Sequence, residues 1–196
     1  MSFEQPQAGK PAENKQKDSG YERQREDFYI DPPFCTQVLL EHESIPGPVL
    51  DPSAGSGVIV NTLREYGVNA HGQDMMERDY PIPGGRDFLA PDCPLAVTPA
   101  SIVCNPPYGI AGQFVERART IAERKVALLV RQDFLSGQKR RHMLREADRV
   151  IVLSKRPSMP PPGVLRGGGQ HDFCWVIWSD ENRTRQVDFG FPGETE

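Results

Sequence analysis

Val49-Leu50-Asp51-Pro52-Ser53-Ala54-Gly55-Ser56-Gly57 is a short apolar strand followed by a turn that contains two glycines. Residues 58–66 then place apolar side chains near one face of a helix, and Gly67 is suited to end it. Residues 68–73 predict a second strand, with Asp74 at its tip. A strand, a glycine turn, a helix and a strand with an acidic tip together form the βαβ unit that binds dinucleotides or nucleosides.

The glycine turn also indicates the kind of ligand. Gly55 and Gly57 allow the backbone to approach a ligand closely, and Asp51 lies where the first strand ends. Asp74, about twenty residues further on, can bind two ribose hydroxyls with its two oxygens. No Gly-Lys-Ser/Thr follows the turn, and the third glycine of the usual dinucleotide fingerprint is missing. A nucleoside with a charged, non-phosphate tail therefore fits best.

Strands and helices alternate along the rest of the chain. Asp31-Pro32-Pro33 predicts a helix start, with Asp31 as the N-cap and a proline in the first turn. The other predicted elements are helices over residues 34–43, 113–123 and 138–147, and strands over residues 101–104, 126–130, 150–153 and 173–178. The apolar run 126–130 suits a central parallel strand. This order predicts a single α/β domain with an open, mostly parallel sheet and helices on both faces.

Length and composition limit the class of protein. The chain has 196 residues, which suits one domain over residues 27–179, with a disordered tail over 1–26 and a polar tail over 180–196. It has no run of about 18 apolar residues and no apolar signal core, so we expect a cytoplasmic protein without a membrane span. The four cysteines lack metal-ligand spacing, so we expect no metal site.

The charge distribution is uneven. A net charge of -4 argues against general binding to polyanions. Residues 131–166, however, contain nine Lys or Arg against three Asp or Glu, and the densest basic run is Lys139-Arg140-Arg141. This window could contact phosphates or could be a solvated helix face, and the sequence does not decide between the two.

A second motif follows the predicted strand Ser101-Ile102-Val103-Cys104, which runs directly into Asn105-Pro106-Pro107-Tyr108. Each proline fixes φ, removes an N–H donor and keeps the preceding residue out of the helical region. The motif is therefore a stiff corner that holds an amide, carbonyl groups and an aromatic ring close together. Asn-Pro alone would indicate only a turn that ends a strand.

The two motifs together resemble those of adenine-N6 DNA methyltransferases that use S-adenosylmethionine. Asp-Pro-x-x-Gly-x-Gly followed by Asn-Pro-Pro-Tyr looks like the small phage and prophage type, and the similarity covers about residues 28–179. The resemblance implies a Rossmann-like class I methyltransferase fold, S-adenosylmethionine as the cofactor, and DNA as the partner, with the target base flipped out of the duplex.

The resemblance also assigns site residues. It implies cofactor binding by Asp51, Ser53, Gly55, Gly57, Asp74, Asp87 and Phe88. It implies catalytic roles for Asn105, Pro106 and Tyr108, and substrate contacts from Pro107 and Phe173. Arg166 is a candidate substrate contact on other grounds, because it lies in the long loop over residues 156–170. Phe173 lies in His171-Asp172-Phe173-Cys174-Trp175, which looks like the late family motif whose aromatic residue contacts the flipped base.

The chemistry of these residues agrees with that assignment. The Asn105 side-chain oxygen and the Pro106 carbonyl can accept the two hydrogens of an adenine amine, which favours a more nucleophilic nitrogen. Tyr108, together with Phe173, can stack on the extruded base. Catalysis would then depend mainly on positioning and preorganised polar contacts.

The sequence departs from the family in two respects. Asp31-Pro32 stands where the family usually has Thr-Pro, and the chain leaves no room for a separate target-recognition domain. The loop over residues 156–170, which contains Arg166, is the sizeable candidate for target recognition, and a partner subunit or a dimer could supply the rest. Three alternatives stay open: methylation of a glutamine amide in a release factor, methylation of RNA, and a catalytically silent fold that binds a partner.

Overall fold

A computed structural model of the chain describes residues 29–77, 81–159 and 169–180, together with the backbone of residues 186–190. The strands are β1 (Val49–Asp51), β2 (Ala70–Gly72), β3 (Ser101–Cys104), β4 (Lys125–Arg131), β5 (Arg149–Leu153), β6 (Phe173–Ser179) and β7 (Gln186–Gly190). The α-helices are α1 (Phe34–His42), α2 (Val58–Glu65), α3 (Ala111–Ile121) and α4 (Arg141–Arg145). The predicted N-terminal tail and Arg166 lie outside the described residues.

The seven strands form one sheet in the order β2-β1-β3-β4-β6-β5-β7. β1 pairs in parallel with β2 and β3, β3 with β4, and β5 with β7, whereas β6 is antiparallel to both of its neighbours. The predicted open, mostly parallel α/β sheet is confirmed. Because β2, β1 and β3 are adjacent and parallel, the chain segments that follow them meet at one edge of the sheet.

Both faces of the sheet are covered, as predicted. Along β4, Ala127 and Leu129 belong to the core that contains the buried residues of α1 and α2. The alternate residues Val126, Leu128 and Val130 belong to a second core that contains those of α3 and α4. Burial on both faces explains why β4 reads as a continuous apolar run instead of an alternating one. β4 is parallel to β3 but antiparallel to β6, so only one of its two pairings is parallel.

The start of α1 differs from the prediction. The N-cap is Pro33, no side chain caps the helix, and the Asp31 carboxylate instead accepts a hydrogen bond from the side chain of Asn105. The N-cap assignment of Asp31 is therefore wrong. A pairing between residues 74 positions apart depends on the tertiary fold and has no local sequence signal.

The predicted basic helix over residues 138–147 is broken. A 3₁₀ turn (Gln138–Arg140) precedes α4, which has only five residues. The guanidinium of Arg140 donates to the carbonyl oxygens of Phe134 and Asp133 at 2.8 and 2.9 Å and lies over the Phe134 ring. These contacts hold Arg140 against the preceding turn, so residues 138–147 do not form one continuous helix.

The C-terminal segment contains a strand where the sequence predicted a polar tail. β7 pairs in parallel with β5, and Val150 is aligned with Val187. The prediction is wrong for these five residues. The alternation in Gln186-Val187-Asp188-Phe189-Gly190 was a strand signal.

A buried ion cluster holds the end of α1 against the starts of β4 and β5. The Lys125 ammonium, at the start of β4, donates to Glu43 Oε2 at 2.6 Å and to the Ser44 carbonyl at 2.9 Å. Arg149, at the start of β5, donates to Glu43 Oε1 at 2.9 Å. The segment that contains α1 thus runs across one sheet face, from Asp31, beside Asn105, to Glu43, near the starts of β4 and β5.

Among the described residues, no helix combines the length and apolar character needed to cross a membrane.

Candidate functional site

The residues that follow β1, β2 and β3 surround a cleft at the edge where those strands end. The open space in the cleft, including its mouth, is about 870 Å³, which is a usual size for a small-molecule site. Its walls include Ser53, Gly55, Asp74, Asp87, Phe88, Asn105, Pro106, Pro107 and Tyr108, all of them predicted site residues. Tyr29, Asp31, Met75 and Met76 also contribute to its walls. The sequence resemblance had placed Tyr29 and Asp31 only in a general way, in the segment over residues 28–40 that precedes the glycine motif, and it had not singled out Met75 and Met76.

The glycine turn and Asp74 form one wall. Gly55 and Gly57 have φ angles of 52° and 76°, in the left-handed region that favours glycine. The Asp74 carboxylate accepts from the backbone N–H of Gly55 at 2.8 Å and from that of Met76 at 2.9 Å. Asp74 therefore ties the turn to the end of β2. An ionised carboxylate oxygen can accept more than one hydrogen bond, which is the property that binding of ligand hydroxyls requires.

Asp51 and Ser53 connect this wall to the Asn-Pro-Pro-Tyr corner. Asp51 is 1% exposed and accepts from the Ser53 backbone N–H at 3.1 Å. The Ser53 hydroxyl donates to the backbone carbonyl of Asn105 at 3.2 Å. Asp51 lies behind the cleft wall and shapes the turn. Gly57 also lies behind the lining, directly before α2.

The side chain of Asn105 has one engaged end and one unengaged end. Its Nδ2 donates to Asp31 Oδ1 at 2.7 Å. Its Oδ1 is buried and has no hydrogen-bond partner among the described residues. An unpaired buried acceptor costs about 1–3 kcal/mol of folding free energy, so an orphaned oxygen in a cleft points to a ligand that donates to it.

Aromatic rings surround Tyr108. Its ring is nearly parallel to that of Tyr29, with centroids 6.3 Å apart, and it is tilted by 57° to that of Phe173, with centroids 5.8 Å apart. The Tyr108 hydroxyl lies 3.5 Å from the sulfur of Met159, and the same sulfur lies 3.9 Å from Asn105 Nδ2. The structure thus brings the predicted Phe173 next to Tyr108. Tyr29 and Met159, which the sequence analysis missed, complete the cluster.

Phe88 and Asp87 form a further part of the cleft wall. Phe88 is 2% exposed and packs against Phe114, with ring centroids 5.2 Å apart. Asp87 accepts from the backbone N–H of Leu89 at 2.9 Å, which fixes the turn after Phe88. Phe88 is thus a core residue that also borders the cleft.

Two carboxyl groups at or directly behind the cleft wall, Asp31 and Asp51, have raised pKa values. Burial raises the pKa of Asp31 to about 7, although the hydrogen bond from Asn105 opposes the shift. Burial also raises the pKa of Asp51 well above its usual range; the Ser53 hydrogen bond opposes that rise, and repulsion from Asp31 and Asp74 adds to it. A cationic ligand would relieve both effects, because it favours the ionised carboxylates.

Comparison with known proteins identifies the fold. No protein-family model matches the sequence, and no curated protein matches it. Three solved structures illustrate the structural similarity. A "putative hemolysin" from Lactococcus lactis has a TM-score of 0.57 at 12% identity, covering 80% of this chain and 91% of that one. A "putative class I S-adenosylmethionine-dependent methyltransferase" from Listeria monocytogenes has a TM-score of 0.52 at 14% identity, covering 79% and 61%.

The third is the M protein of the type I restriction enzyme EcoKI, with a TM-score of 0.52 at 13% identity. The match covers 80% of this chain but 46% of the EcoKI protein, so the chain corresponds to about half of that protein's length. At such identities, structural likeness shows the fold alone. The chain therefore has the Rossmann-like fold of the class I S-adenosylmethionine-dependent methyltransferases, to which it is distantly similar in structure.

Proposed function

We propose that the protein is an S-adenosylmethionine-dependent methyltransferase that acts on the exocyclic N6 amine of adenine in DNA. The proposal is carried by one observation on the Asn105 side-chain oxygen. This oxygen is buried and has no partner among the described residues, and Asn105 lines the cleft. An orphaned acceptor beside a site suited to a cationic nucleoside is what methyl transfer to a planar amine requires.

The cleft fits the cofactor on three counts. Asp31 and Asp51 have raised pKa values because burial disfavours their ionised forms, and a cationic ligand would favour those forms. The left-handed glycines allow the backbone to approach a ligand, and Phe88 offers an apolar surface. Asp74 would bind the ribose hydroxyls, and Asp87 with Phe88 would hold the adenine. When bound, S-adenosylmethionine supplies an electrophilic methyl group on a positively charged sulfur.

The residues at the Asn105 corner would hold the acceptor amine. Asn105 Oδ1 and the Pro106 carbonyl would accept its two hydrogens and so favour a nitrogen whose lone pair is available. The new N–C bond forms as the S–C bond breaks. The methylated nitrogen then loses its extra proton, which is acidic only after alkylation, so no strong base is needed beforehand.

An adenine base suits the aromatic cluster. Tyr108 and Phe173 would stack on the extruded base. Met159 covers the corner, since its sulfur contacts both Asn105 and Tyr108.

DNA as the carrier of the amine is supported by the motif pair and by exposed basic residues after β4. Lys139 and Arg141 are exposed there. Other basic residues of the same window are engaged locally: Arg131 with Asp133, Arg149 with Glu43, and Arg156 with Asp172. The positive charge available to phosphates is therefore smaller than the sequence count suggested. A modest basic patch is consistent with short or loose target recognition, or with a partner subunit or second copy that supplies further contacts.

The test is methyl transfer from labelled S-adenosylmethionine to duplex DNA, followed by nucleoside analysis. We expect label in N6-methyladenine, and we expect Asn105→Ala to reduce transfer by at least about 100-fold, as loss of one preorganised polar contact does in other enzymes. Asn61→Ala, a change at an exposed asparagine of α2, is the matched control and should retain activity.

The outcomes separate the remaining candidates. Label found only in RNA, or only in a glutamine side chain of a release factor, would reject DNA as the substrate while keeping the methyltransferase chemistry. No calorimetric binding of S-adenosylmethionine would instead favour the silent fold.

A further inference from the structure

The amide of Asn105 has two orientations that differ by about 180° and have nearly the same shape. In one orientation the oxygen faces an incoming amine and can accept its hydrogens. In the other orientation the NH₂ group faces the amine, and two donors then oppose each other. The proposed reaction therefore needs a device that selects the first orientation.

Asp31 is placed to make that selection. An ionised carboxylate can only accept hydrogen bonds, so it pairs with the Nδ2 end of the amide and excludes the Oδ1 end. The observed distance of 2.7 Å is typical of a strong bond to a charged acceptor. Asp31 does not cap α1, since the N-cap is Pro33 and no side chain caps the helix.

We infer that Asp31 is a positioning residue that holds the Asn105 amide with its oxygen available to the acceptor amine. The inference rests on the proposed function for its role in catalysis. It goes beyond the motif pair, because residue 31 is an aspartate where the resembling family usually has threonine. A negative acceptor at Nδ2 also polarises the amide and increases the negative charge on Oδ1.

The device depends on the protonation of Asp31. Its pKa is raised to about 7 by burial, so the carboxyl is largely protonated at pH 6 and largely ionised at pH 8. A protonated carboxyl can also donate a hydrogen bond. It can therefore pair with Asn105 Oδ1 after the amide rotates by about 180°, so it no longer excludes the wrong orientation. Within the part of the chain that the structure describes, charge interactions link Asp31 to Asp51, Cys35 and Cys104, and link Asp51 to Asp74. Burial raises the pKa of both thiols, so they stay neutral.

The first test observes the amide itself and needs no turnover. The Asn105 side-chain NH₂ signal in ¹⁵N-labelled protein is assigned by its loss in Asn105→Ala. We expect one of its two protons to be strongly shifted at pH 8 and to titrate with a midpoint near pH 7. In Asp31→Asn the titration should vanish. A signal that does not respond between pH 6 and 8 would overturn the inference, whether or not the protein is active.

The second test measures turnover. We expect Asp31→Asn to lower kcat by about 10–100-fold, the usual effect of misplacing a reacting group, and to remove the loss of activity below pH 7. Asp92→Asn, an exposed change of the same chemistry, should keep both kcat and the pH profile. If Asp31→Asn has a low kcat but still loses activity below pH 7 as the wild type does, Asp31 has only a structural role. A titrating amide in an inactive wild-type protein would instead reject the proposed function and keep the positioning role.

Discussion

Tyr108 is the residue on which the proposed base pocket depends. Its ring contacts the rings of Tyr29 and Phe173, and its hydroxyl contacts Met159. The motif predicted an aromatic ring beside Asn105, and the structure places one there. The neighbours of that ring could not be predicted, because Tyr29 and Met159 come from distant parts of the chain and have no motif of their own. The same reason accounts for Asp31, which local sequence assigned to a helix cap.

Replacing Tyr108 tests stacking separately from cofactor binding. Base–aromatic stacking contributes about 1–3 kcal/mol per base, so Tyr108→Ala should weaken DNA binding or raise KM by about 5–150-fold. Tyr108→Phe keeps the ring and removes only the hydroxyl near Met159, and it should stay close to wild type. Steady-state kinetics give the KM for DNA, and calorimetric titration gives the affinity for S-adenosylmethionine. An equal loss of cofactor affinity in Tyr108→Ala would show that the ring supports the cofactor and not the base.

At the scale of elements, α1 links the site to the rest of the fold. Its first turn follows Asp31, and the segment after it supplies Glu43 to the buried Lys125 and Arg149. Its existence was predictable from apolar spacing, as was that of α2 after the glycine turn. α4 was less predictable, because contacts of Arg140 with the preceding turn override the helical propensity of residues 138–147.

The buried ion cluster should be important for stability. Glu43→Gln leaves the Lys125 ammonium, 2% exposed, without its carboxylate. Loss of one partner of a buried pair costs about 3–5 kcal/mol, which urea denaturation would measure. Replacing both partners, as in Glu43→Gln with Lys125→Met, should recover part of that loss.

An exposed pair provides the matched control for the same chemical change. Glu146 lies 2.5 Å from Arg119 at the surface, and Glu146→Gln should change the free energy of unfolding by less than about 1 kcal/mol. Equal effects at Glu43 and Glu146 would show that burial does not increase the cost of breaking the Lys125 pair.

At the scale of the whole molecule, the sheet is continuous from β2 to β7, and both of its faces are covered. The sequence predicted the βαβ unit and the strand before Asn105 because each has a strong local signal. It did not predict that β6 lies between β4 and β5, or that β7 covers the outer edge of β5. Strand order depends on long-range pairing, which local patterns do not encode.

Truncation tests the role of β7. A chain that ends at Asp180 lacks β7 and exposes the unpaired edge of β5, which contains Val150 and Val152. Exposed apolar edges promote association between sheets, so we expect light scattering to increase and the melting temperature to fall. A chain that ends at Gly190 keeps β7 and is the control. Equal solubility and stability of the two truncated chains would show that β7 contributes little.

Under the proposed function, the raised pKa of Asp31 predicts that binding of a cationic ligand releases protons. A cation that enters the cleft should lower the raised pKa of Asp31, which is about 7, so protons leave as it binds. Calorimetry of S-adenosylmethionine at pH 6.5–7 in two buffers that differ in ionisation enthalpy should detect them. S-adenosylhomocysteine, which lacks the sulfonium charge, should release fewer. Equal release by both compounds would show that the sulfur charge does not couple to Asp31. If the sulfur charge does couple to Asp31, acidification should weaken the binding of S-adenosylmethionine and also disturb the Asn105 amide. Protonation would then affect the cofactor and the acceptor amine together.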